Sequence, residues 1–565
     1  MWTRVPGCVA ALTLPLVLVV STGCTAGPED ELASLLQQTG ERKPELDHRG
    51  PDVYFDETGP ARYVEALWEG FRSERAMENV RFADRFYRAP ASPGYDLVID
   101  RLIEILKESG YGGWDMRLEL DVYEEPRETP AWEPKNARLV LLARGSEPRE
   151  LHAFSPGNDR DRTMLPINAP ACDVEGEVAL SLSDLEEGMI LVVEASLTQV
   201  LERARSKGAA AVVSSSLSLF NVDPSGRERQ LDAIQFRSVA AGTAVPVCQI
   251  SPRSFETIVR AAEAGGARIA LQADVAFEDR PLRTLVATVV GSMHPDEAVA
   301  ISSHVQEPGA CDNASGLAGL LESARSLAEL LQAGRIPWPK RSLVFIWGDE
   351  YRQTEVWLEN TQRTPVAGIS SDMTGQSKDT GAIALLERHP DPGAVTVLPP
   401  DEHTPWGAGE VEDDWLVPNG LAVIARCAMA DVSIRAGGWS TADHPWEGGS
   451  DHDVYIEQGV PAALFWHFTD FTYHTSLDRV EFVDPEEMRR TGVAILATAL
   501  AVAHPQPEDL DRYVRSLHRE EAVRIAAAEE VGLSEAAAAW RQWCHGARMW
   551  LRILCLGPEA EIPPR

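Results

Sequence analysis

Four apolar, strand-like runs, each followed by polar side chains able to bind a metal ion, constrain the fold of this chain more than any other feature. The runs are AVAISS (298–303), SLVFIW (342–347), VAGISS (366–371) and AALFWHF (462–468). The side chains that follow them belong to His304, Asp349, Glu350, Asp372 and His474. Donors at the ends of separate strands meet in the crevice of an open α/β sheet. The pattern therefore predicts an α/β fold that gathers these side chains in one site.

A further carboxylate, Asp312, stands just ahead of a helical pattern that continues to about residue 325. Zinc accepts imidazole and carboxylate donors and leaves a position open for water. Two zinc ions about 3.5–4 Å apart share such a water and polarise a scissile carbonyl. Taken alone, the acidic pair after Gly348 suits a helix cap and Asp372 suits a turn. The order of these residues and their place at strand ends favour a two-metal hydrolytic site.

Length and charge limit the broad class of the protein. A chain of 565 residues predicts two or three folding units. The composition, with 44% hydrophobic and 25% charged residues, is typical of a soluble globular protein. A formal net charge of −35 argues against nucleic acid as a partner, because the phosphates repel an acidic surface.

The N-terminus predicts export. Arg4 precedes an apolar run at 9–20, and small residues at 21–23 precede Cys24. The run is too short to span a bilayer comfortably. The segment VVSTGC (19–24) resembles the lipobox of bacterial lipoproteins, which implies a lipidated Cys24 and a membrane tether at the cell envelope. Ordinary secretion, with cleavage near Ala26, is the alternative.

Composition and periodicity divide the chain. Short strands and one helical pattern between 165 and 275 resemble the protease-associated domain of secreted peptidases, and a generic α/β insertion is the alternative. Residues 389–447 are rich in Pro, Gly and Trp and indicate loops over a site. The predicted parts are a signal or lipoprotein peptide (1–24), a tether (25–60), the first part of the catalytic domain (61–164), the insert (165–278), the rest of the catalytic domain (279–505) and a helical C-terminal extension (506–565).

The motifs themselves resemble a known family. SSHVQEPGACDNASGLAGLLESAR (302–325), DE (349–350), SSDM (370–373) and YHTSLD (473–478) occur in this order, as in the M28 zinc aminopeptidases. The resemblance covers about 65–505 and implies a mixed central sheet flanked by helices, with two Zn²⁺ ions as cofactors. One ion is expected on His304 and Asp372 and the other on Glu350 and His474, with Asp312 between them.

The resemblance also assigns the general base. At two positions the chain differs from the pattern of the family. Asp349 falls at the base position, where glutamate is commoner, and its side chain is one methylene shorter. Gln306 stands where an aspartate commonly orients the first histidine, so it is expected to accept the ring N–H of His304 without a charge. The peptide bond after Asp312 is expected to be cis, as is frequent in that family.

Three residues near the last ligand have two interpretations each. Asp451 and His452 either line the substrate pocket or support the ligands from behind. Tyr473 either contributes its hydroxyl to the reaction or packs beside His474. His389, His403 and His545 are expected to be structural.

The predicted function is an exported di-zinc metallopeptidase that removes N-terminal residues from peptides. A carboxypeptidase or dipeptidase needs a cation for the substrate carboxylate, and Arg352 and Arg435 are the candidates. Acidic loops at 401–414 and 443–453 favour an aminopeptidase, because they suit a substrate amine. A catalytically impaired surface-binding protein on the same scaffold is the third possibility. The absence of a G-x-S-x-G sequence disfavours a serine hydrolase.

Overall fold

In a computed structural model, the described residues are 57–558 apart from 222, 224, 225 and 227. They all lie in one compact unit. The expected signal peptide, Cys24 and residues 25–56 of the expected tether lie outside the described residues. Among the residues that are described, no helix is long and apolar enough to cross a membrane.

Thirteen α-helices occur in the described part of the chain. They are α1 (Ala61–Gly70), α2 (Ser73–Ala83), α3 (Pro93–Glu108), α4 (Leu197–Ser206), α5 (Pro252–Glu263), α6 (Ala314–Gln332), α7 (Arg352–Asn360), α8 (Pro392–Val395), α9 (Leu421–Ala436), α10 (His452–Glu457), α11 (Pro485–Ala503), α12 (Asp509–Glu530) and α13 (Ser534–Leu556).

Fifteen strands occur in the same residues and form two sheets. They are β1 (Leu118–Glu125), β2 (Ala131–Ala143), β3 (Arg149–Phe154), β4 (Cys172–Ala179), β5 (Ile190–Val193), β6 (Ala211–Ser214), β7 (Val247–Gln249), β8 (Ala267–Glu278), β9 (Leu282–Val289), β10 (His294–His304), β11 (Arg341–Gly348), β12 (Thr364–Ser371), β13 (Ile383–Glu387), β14 (Thr441–His444) and β15 (Ala462–Phe468).

The first sheet has eight strands in the order β1-β9-β11-β10-β12-β15-β13-β14. Its central strands β11, β10, β12 and β15 are parallel, whereas β9 and β13 run antiparallel to their neighbours in the centre. The fold is therefore α/β with a mixed sheet, as the sequence predicts. All four apolar runs form strands of this sheet, and their carboxyl ends meet at one edge.

Both faces of the sheet are covered, which explains the unbroken apolar runs. Val299 and Ile301 of β10 face one core, while Ala298 and Ala300 face the other. Helices α1, α2, α6, α9 and α11 pack together in the larger core, and α7 and α10 lie against the opposite face. The sheet is thus a rigid platform for the side chains at its edge.

The second sheet has seven strands in the order β3-β2-β8-β4-β5-β6-β7. It has its own hydrophobic core, with helices α4 and α5. Strands β2 and β3 belong to this sheet although they precede residue 165, where the sequence places the start of the insert. We call residues 131–278 the second lobe. Its resemblance to the protease-associated domain stays a prediction, as do the other domain boundaries.

The expectation of loops throughout 389–447 is wrong for its middle part. Helix α9 occupies Leu421–Ala436, and most of its residues are buried in the larger core. A helix that is apolar on nearly all sides has no amphipathic period for the sequence to reveal. The helical tail is confirmed as α12 and α13, and Arg524 of α12 pairs with Asp401 of the body.

Candidate metal centre

Neighbouring strand ends bring the predicted donors together. His304 ends β10 opposite Gly348 of β11, so Asp349 and Glu350 follow at the same edge. Asp372 directly follows β12, which pairs with β10 on its other side. His474 follows β15, the next parallel strand. The edge predicted from the four apolar runs is the edge that the structure shows.

The first group of donors consists of His304, Asp312 and Asp372, all buried. His304 Nε2 lies 3.2 Å from Asp372 Oδ1 and 3.5 Å from Asp312 Oδ1. Ligands about 2.0–2.2 Å from a tetrahedral zinc ion are separated by comparable distances. Ser450 Oγ donates to the other oxygen of Asp372 at 2.9 Å, which turns Asp372 Oδ1 towards His304.

The second group consists of Glu307, Asp312 and His474. His474 Nε2 lies 2.9 Å from Asp312 Oδ2 and 2.9 Å from Glu307 Oε2. Asp312 therefore faces His304 with one oxygen and His474 with the other. This is the arrangement of a carboxylate between two cations.

Glu350 lies close to His304, and its predicted place beside His474 stays a prediction. Its Oε1 is 4.0 Å from His304 Nε2, and the carboxylates that contact His474 are those of Glu307 and Asp312. The side chain of Gln306 makes two contacts with Glu350. Its Oε1 accepts the Glu350 backbone N–H at 2.9 Å, and its Nε2 donates to Glu350 Oε2 at 3.4 Å.

Gln306 also orients His304, but not through its side chain. The ring Nδ1 lies 3.2 Å from the backbone carbonyl oxygen of Gln306. A backbone carbonyl is an ordinary partner for the second nitrogen of a metal-binding histidine. The side-chain amide is therefore free to contact Glu350. It uses both a donor and an acceptor, whereas an ionised aspartate at this position would offer acceptors only.

The turn that carries Asp349 and Glu350 is supported from behind by Asp451. Asp451 is fully buried, and its Oδ1 accepts the backbone N–H of Tyr351 at 3.0 Å. Its Oδ2 accepts from Gln353 Nε2 at 2.6 Å. The structure places Asp451 in this supporting position, away from solvent. Burial raises the pKa of Asp349 to about 7, although Arg127 and His304 oppose the shift.

Asp478, the last residue of the YHTSLD motif, holds the loop that presents Asp312. Its two oxygens accept the backbone N–H groups of Cys311 at 2.6 Å and Asp312 at 2.9 Å. A Cβ atom on Gly309 would lie 2.0 Å from Asp478 Oδ2, so only glycine allows this approach. The expected cis peptide bond between Asp312 and Asn313 is confirmed.

The thiol of Cys311 is not part of either donor group. It contacts the carbonyl oxygen of Phe482 at 3.6 Å. The donors are therefore hard oxygens and imidazole nitrogens, which suit zinc with an open position. Burial alone lowers the pKa of His304, but the surrounding carboxylates, Asp372 first, raise it well above its ordinary value. Burial and the charge of Glu307 likewise raise the pKa of Asp312. So many buried acids around two imidazoles suit bound cations.

The second lobe contributes to the site, which the sequence did not reveal. The carbonyl oxygen of His474 accepts from the Phe236 backbone N–H at 2.6 Å and from Gln235 Nε2 at 2.8 Å. The Phe236 ring lies edge-on to the imidazole, with centroids 5.6 Å apart. Asn221 Nδ2 also donates to the carbonyl of Tyr473. The lobe thus fixes the segment that carries His474.

Replacing Gln235 tests this role. Gln235→Ala removes one of the two donors to the His474 carbonyl. We expect zinc affinity to fall about tenfold, because outer partners of a ligand typically contribute 10–100-fold. Zinc titration of chelator-treated protein measures the effect, with the exposed Gln199→Ala as control. Unchanged affinity in Gln235→Ala would contradict a positioning role for the lobe.

Tyr473 and His452 lie beside the site in packed positions. The Tyr473 ring stacks on His474 with centroids 3.9 Å apart and also contacts Phe220. His452 is fully buried, and its Nε2 lies 2.7 Å from Glu387 Oε1. Burial alone lowers the pKa of His452, but Asp453 and Glu387 raise it to about 9.

This raised pKa predicts a pH-dependent contribution to stability. The pKa of an unfolded histidine is about 6.5. When the folded pKa is higher, the histidine stabilises the folded protein fully below the unfolded pKa, and this stabilisation is lost as pH rises through the folded pKa. The contribution of His452 should therefore disappear as pH passes through about 9. We expect His452→Gln to lose about 3 kcal/mol more stability at pH ~6 than at pH ~10. Urea unfolding of both chelator-treated proteins measures this difference. A pH-independent difference would refute it.

Residues 284–351, which carry His304, Asp312 and the Asp349–Glu350 pair, match the model of Peptidase family M28. This match agrees with the resemblance that the motifs show. The chain is 23% identical over 464 residues to the protein named "Probable lipoprotein aminopeptidase LpqL" of Mycobacterium tuberculosis (strain ATCC 25618 / H37Rv). That match covers 76% of this chain and 82% of the relative.

Solved structures share the fold of this chain. BSAP, a zinc aminopeptidase from Bacillus subtilis, superposes with a TM-score of 0.51 at 14% identity, over 78% of this chain and 96% of its own. A Peptidase M28 precursor from Shewanella amazonensis SB2B gives 0.54 at 18% identity, over 79% of this chain and 97% of its own. Both matches extend far beyond residues 284–351, so the likeness includes most of the fold.

Proposed function

We propose that this protein is a di-zinc aminopeptidase of the M28 family that removes N-terminal residues from peptides. The observation that carries the proposal is the pair of donor groups that share Asp312, His304 with Asp372 on one side and His474 on the other. Zinc ions bound there would polarise the scissile carbonyl and lower the pKa of water. The donor chemistry and the spacing of the groups support zinc as the cofactor.

Asp349 is proposed as the general base. It follows the strand end next to Glu350, and the Asp451-supported turn fixes its backbone. Its carboxylate would take a proton from the attacking water and pass it to the leaving amine. The shorter side chain is compensated if the turn brings the backbone closer to the substrate.

An aminopeptidase agrees better with the charges than a carboxypeptidase. Arg352 is held in ion pairs with Glu125, at 2.7 Å, and with Glu355 and Glu359. Arg435 pairs with Glu65 of helix α1 at 2.5 Å. Neither of the arginines considered from the sequence is therefore available to a substrate carboxylate.

Two of the acidic side chains that the sequence offers to a substrate amine stabilise the fold instead. In the loops expected to provide them, Asp401 and Asp443 are buried and pair with Arg388. The preference for an aminopeptidase therefore rests on the ion pairs of Arg352 and Arg435. The names of the Mycobacterium relative and of BSAP, both aminopeptidases, support the same conclusion.

We further propose that the protein is exported and tethered to the bacterial envelope through a lipidated Cys24. The sequence 19–24 and the lipoprotein name of the Mycobacterium relative support this. Metabolic labelling with an alkyne-bearing fatty acid tests it: wild type should be labelled and Cys24→Ala should not. Equal labelling of both would contradict the tether.

Paired blocked peptides test the function. Zinc-loaded protein should hydrolyse a peptide with a free amine and an amidated carboxyl end, and should not hydrolyse its N-acetylated counterpart. The reverse preference would identify a carboxypeptidase. If the protein binds zinc but hydrolyses no peptide of a broad panel, the result would indicate a catalytically impaired protein on the same scaffold.

A further inference from the structure

We propose that Glu307 is a ligand of the second zinc ion, beside Asp312 and His474, in the place that the sequence comparison gives to Glu350. The inference rests on the proposed di-zinc function. It adds a second ligand from the loop after β10, which already carries Asp312 of the set predicted from the sequence.

The contacts of His474 provide the first argument. Its Nε2 is equally close, 2.9 Å, to a Glu307 oxygen and an Asp312 oxygen. One ring N–H shared between two carboxylates makes only a three-centre hydrogen bond, whereas a cation between the three atoms would satisfy all of them. Zinc accepts this set of one imidazole and two carboxylates.

The loop around Glu307 is fixed on both sides. The guanidinium of Arg88, itself fully buried, donates to the carbonyl oxygens of Val305 at 2.9 Å and Gly309 at 2.6 Å. The buried Arg162 donates to the carbonyl oxygen of Pro308. The carboxylate is therefore presented by a pre-organised segment, as a metal ligand requires.

The backbone of Glu307 carries a cost that glycine would avoid. Its φ is 86°, in the left-handed region that residues with a Cβ rarely adopt. The side chain is partly exposed, at 14%, so packing does not explain the choice of glutamate. Strain of this kind clusters at functional sites, and coordination of a metal would explain it here.

Gln306 gives the complementary argument. By holding both the backbone N–H and the carboxylate of Glu350, it keeps Glu350 on the His304 side of the site. In the described part of the chain, the carboxylates grouped with His474 are then those of the shared Asp312 and of Glu307. The adjacent residues Gln306 and Glu307 thus act together.

Zinc titration of chelator-treated protein by calorimetry tests the proposal. We expect wild type to bind two zinc ions and Glu307→Gln to keep one at wild-type affinity while the second weakens at least about tenfold. The exposed Glu256→Gln is the matched control and should behave as wild type. Cobalt substitution gives a second readout, because the visible spectrum of the second site should change in Glu307→Gln.

A glycine variant guards against misfolding. Glu307→Gly keeps the left-handed backbone available, so the zinc-depleted variant should melt no lower than zinc-depleted wild type while losing the same second-site affinity. Two zinc ions at wild-type affinity in both variants would overturn the proposal and leave the proposed function intact. Fewer than two zinc ions on wild type would overturn both.

Discussion

Replacing Asp349 by asparagine is expected to lower kcat/KM by about 10²–10⁴-fold, the usual contribution of a general base. Asparagine keeps the shape of the side chain but cannot accept the proton from water. Because Asp349 is outside both donor groups, zinc content should remain that of wild type. Steady-state kinetics on an amino-terminal peptide substrate, with zinc analysis of the same samples, measure both quantities.

Asp349→Glu is the matched control. It restores the carboxylate and adds the methylene that the commoner base residue has, so activity should stay within about tenfold of wild type. Full activity in Asp349→Asn with zinc bound would remove Asp349 from its proposed role. Equal loss in the asparagine and glutamate variants would instead indicate that the turn at 349–351 is sensitive to any change.

Replacing Asp312 by alanine should have the largest effect, because both donor groups lose the residue that they share. Loss of zinc removes several kcal/mol of transition-state stabilisation, so activity should fall by at least about 10³-fold. Zinc binding should weaken at both positions. The exposed Asp232→Ala is the control.

The fold should survive this change. Burial and the neighbouring charge of Glu307 raise the pKa of Asp312, so its carboxylate is disfavoured where it lies. Removing it relieves that repulsion, and we expect the chelator-treated variant to melt no lower than chelator-treated wild type. Retained zinc stoichiometry and activity in Asp312→Ala would show that the two groups are not joined by this residue.

The sheet edge could be predicted because short, continuous sequence segments determine it. Each parallel strand is a short apolar run, and the residue after the run must lie at the carboxyl edge. His304, Asp349 and Asp372 are placed by this rule alone, and the structure brings them together as expected. His474 follows from this rule less directly, because five residues separate it from the end of β15.

The rest depended on contacts that the sequence does not show. Glu307 lies three residues after His304 in the quoted motif, but its direction follows from a left-handed φ and from Gln306 holding Glu350. Helix α9 is buried on nearly all sides and therefore has no amphipathic pattern. The hydrogen bond from Gln235 to the His474 carbonyl oxygen joins residues 239 positions apart, and no local sequence pattern indicates it.

Anomalous X-ray scattering at the zinc absorption edge tests the central claim most directly. Crystals of the zinc-loaded protein should show two peaks about 3.5–4 Å apart, the separation of a two-metal hydrolytic site. One peak should contact His304 and Asp372, the other should contact His474, and Asp312 should lie between them. A single peak, or peaks that do not share Asp312, would contradict the account.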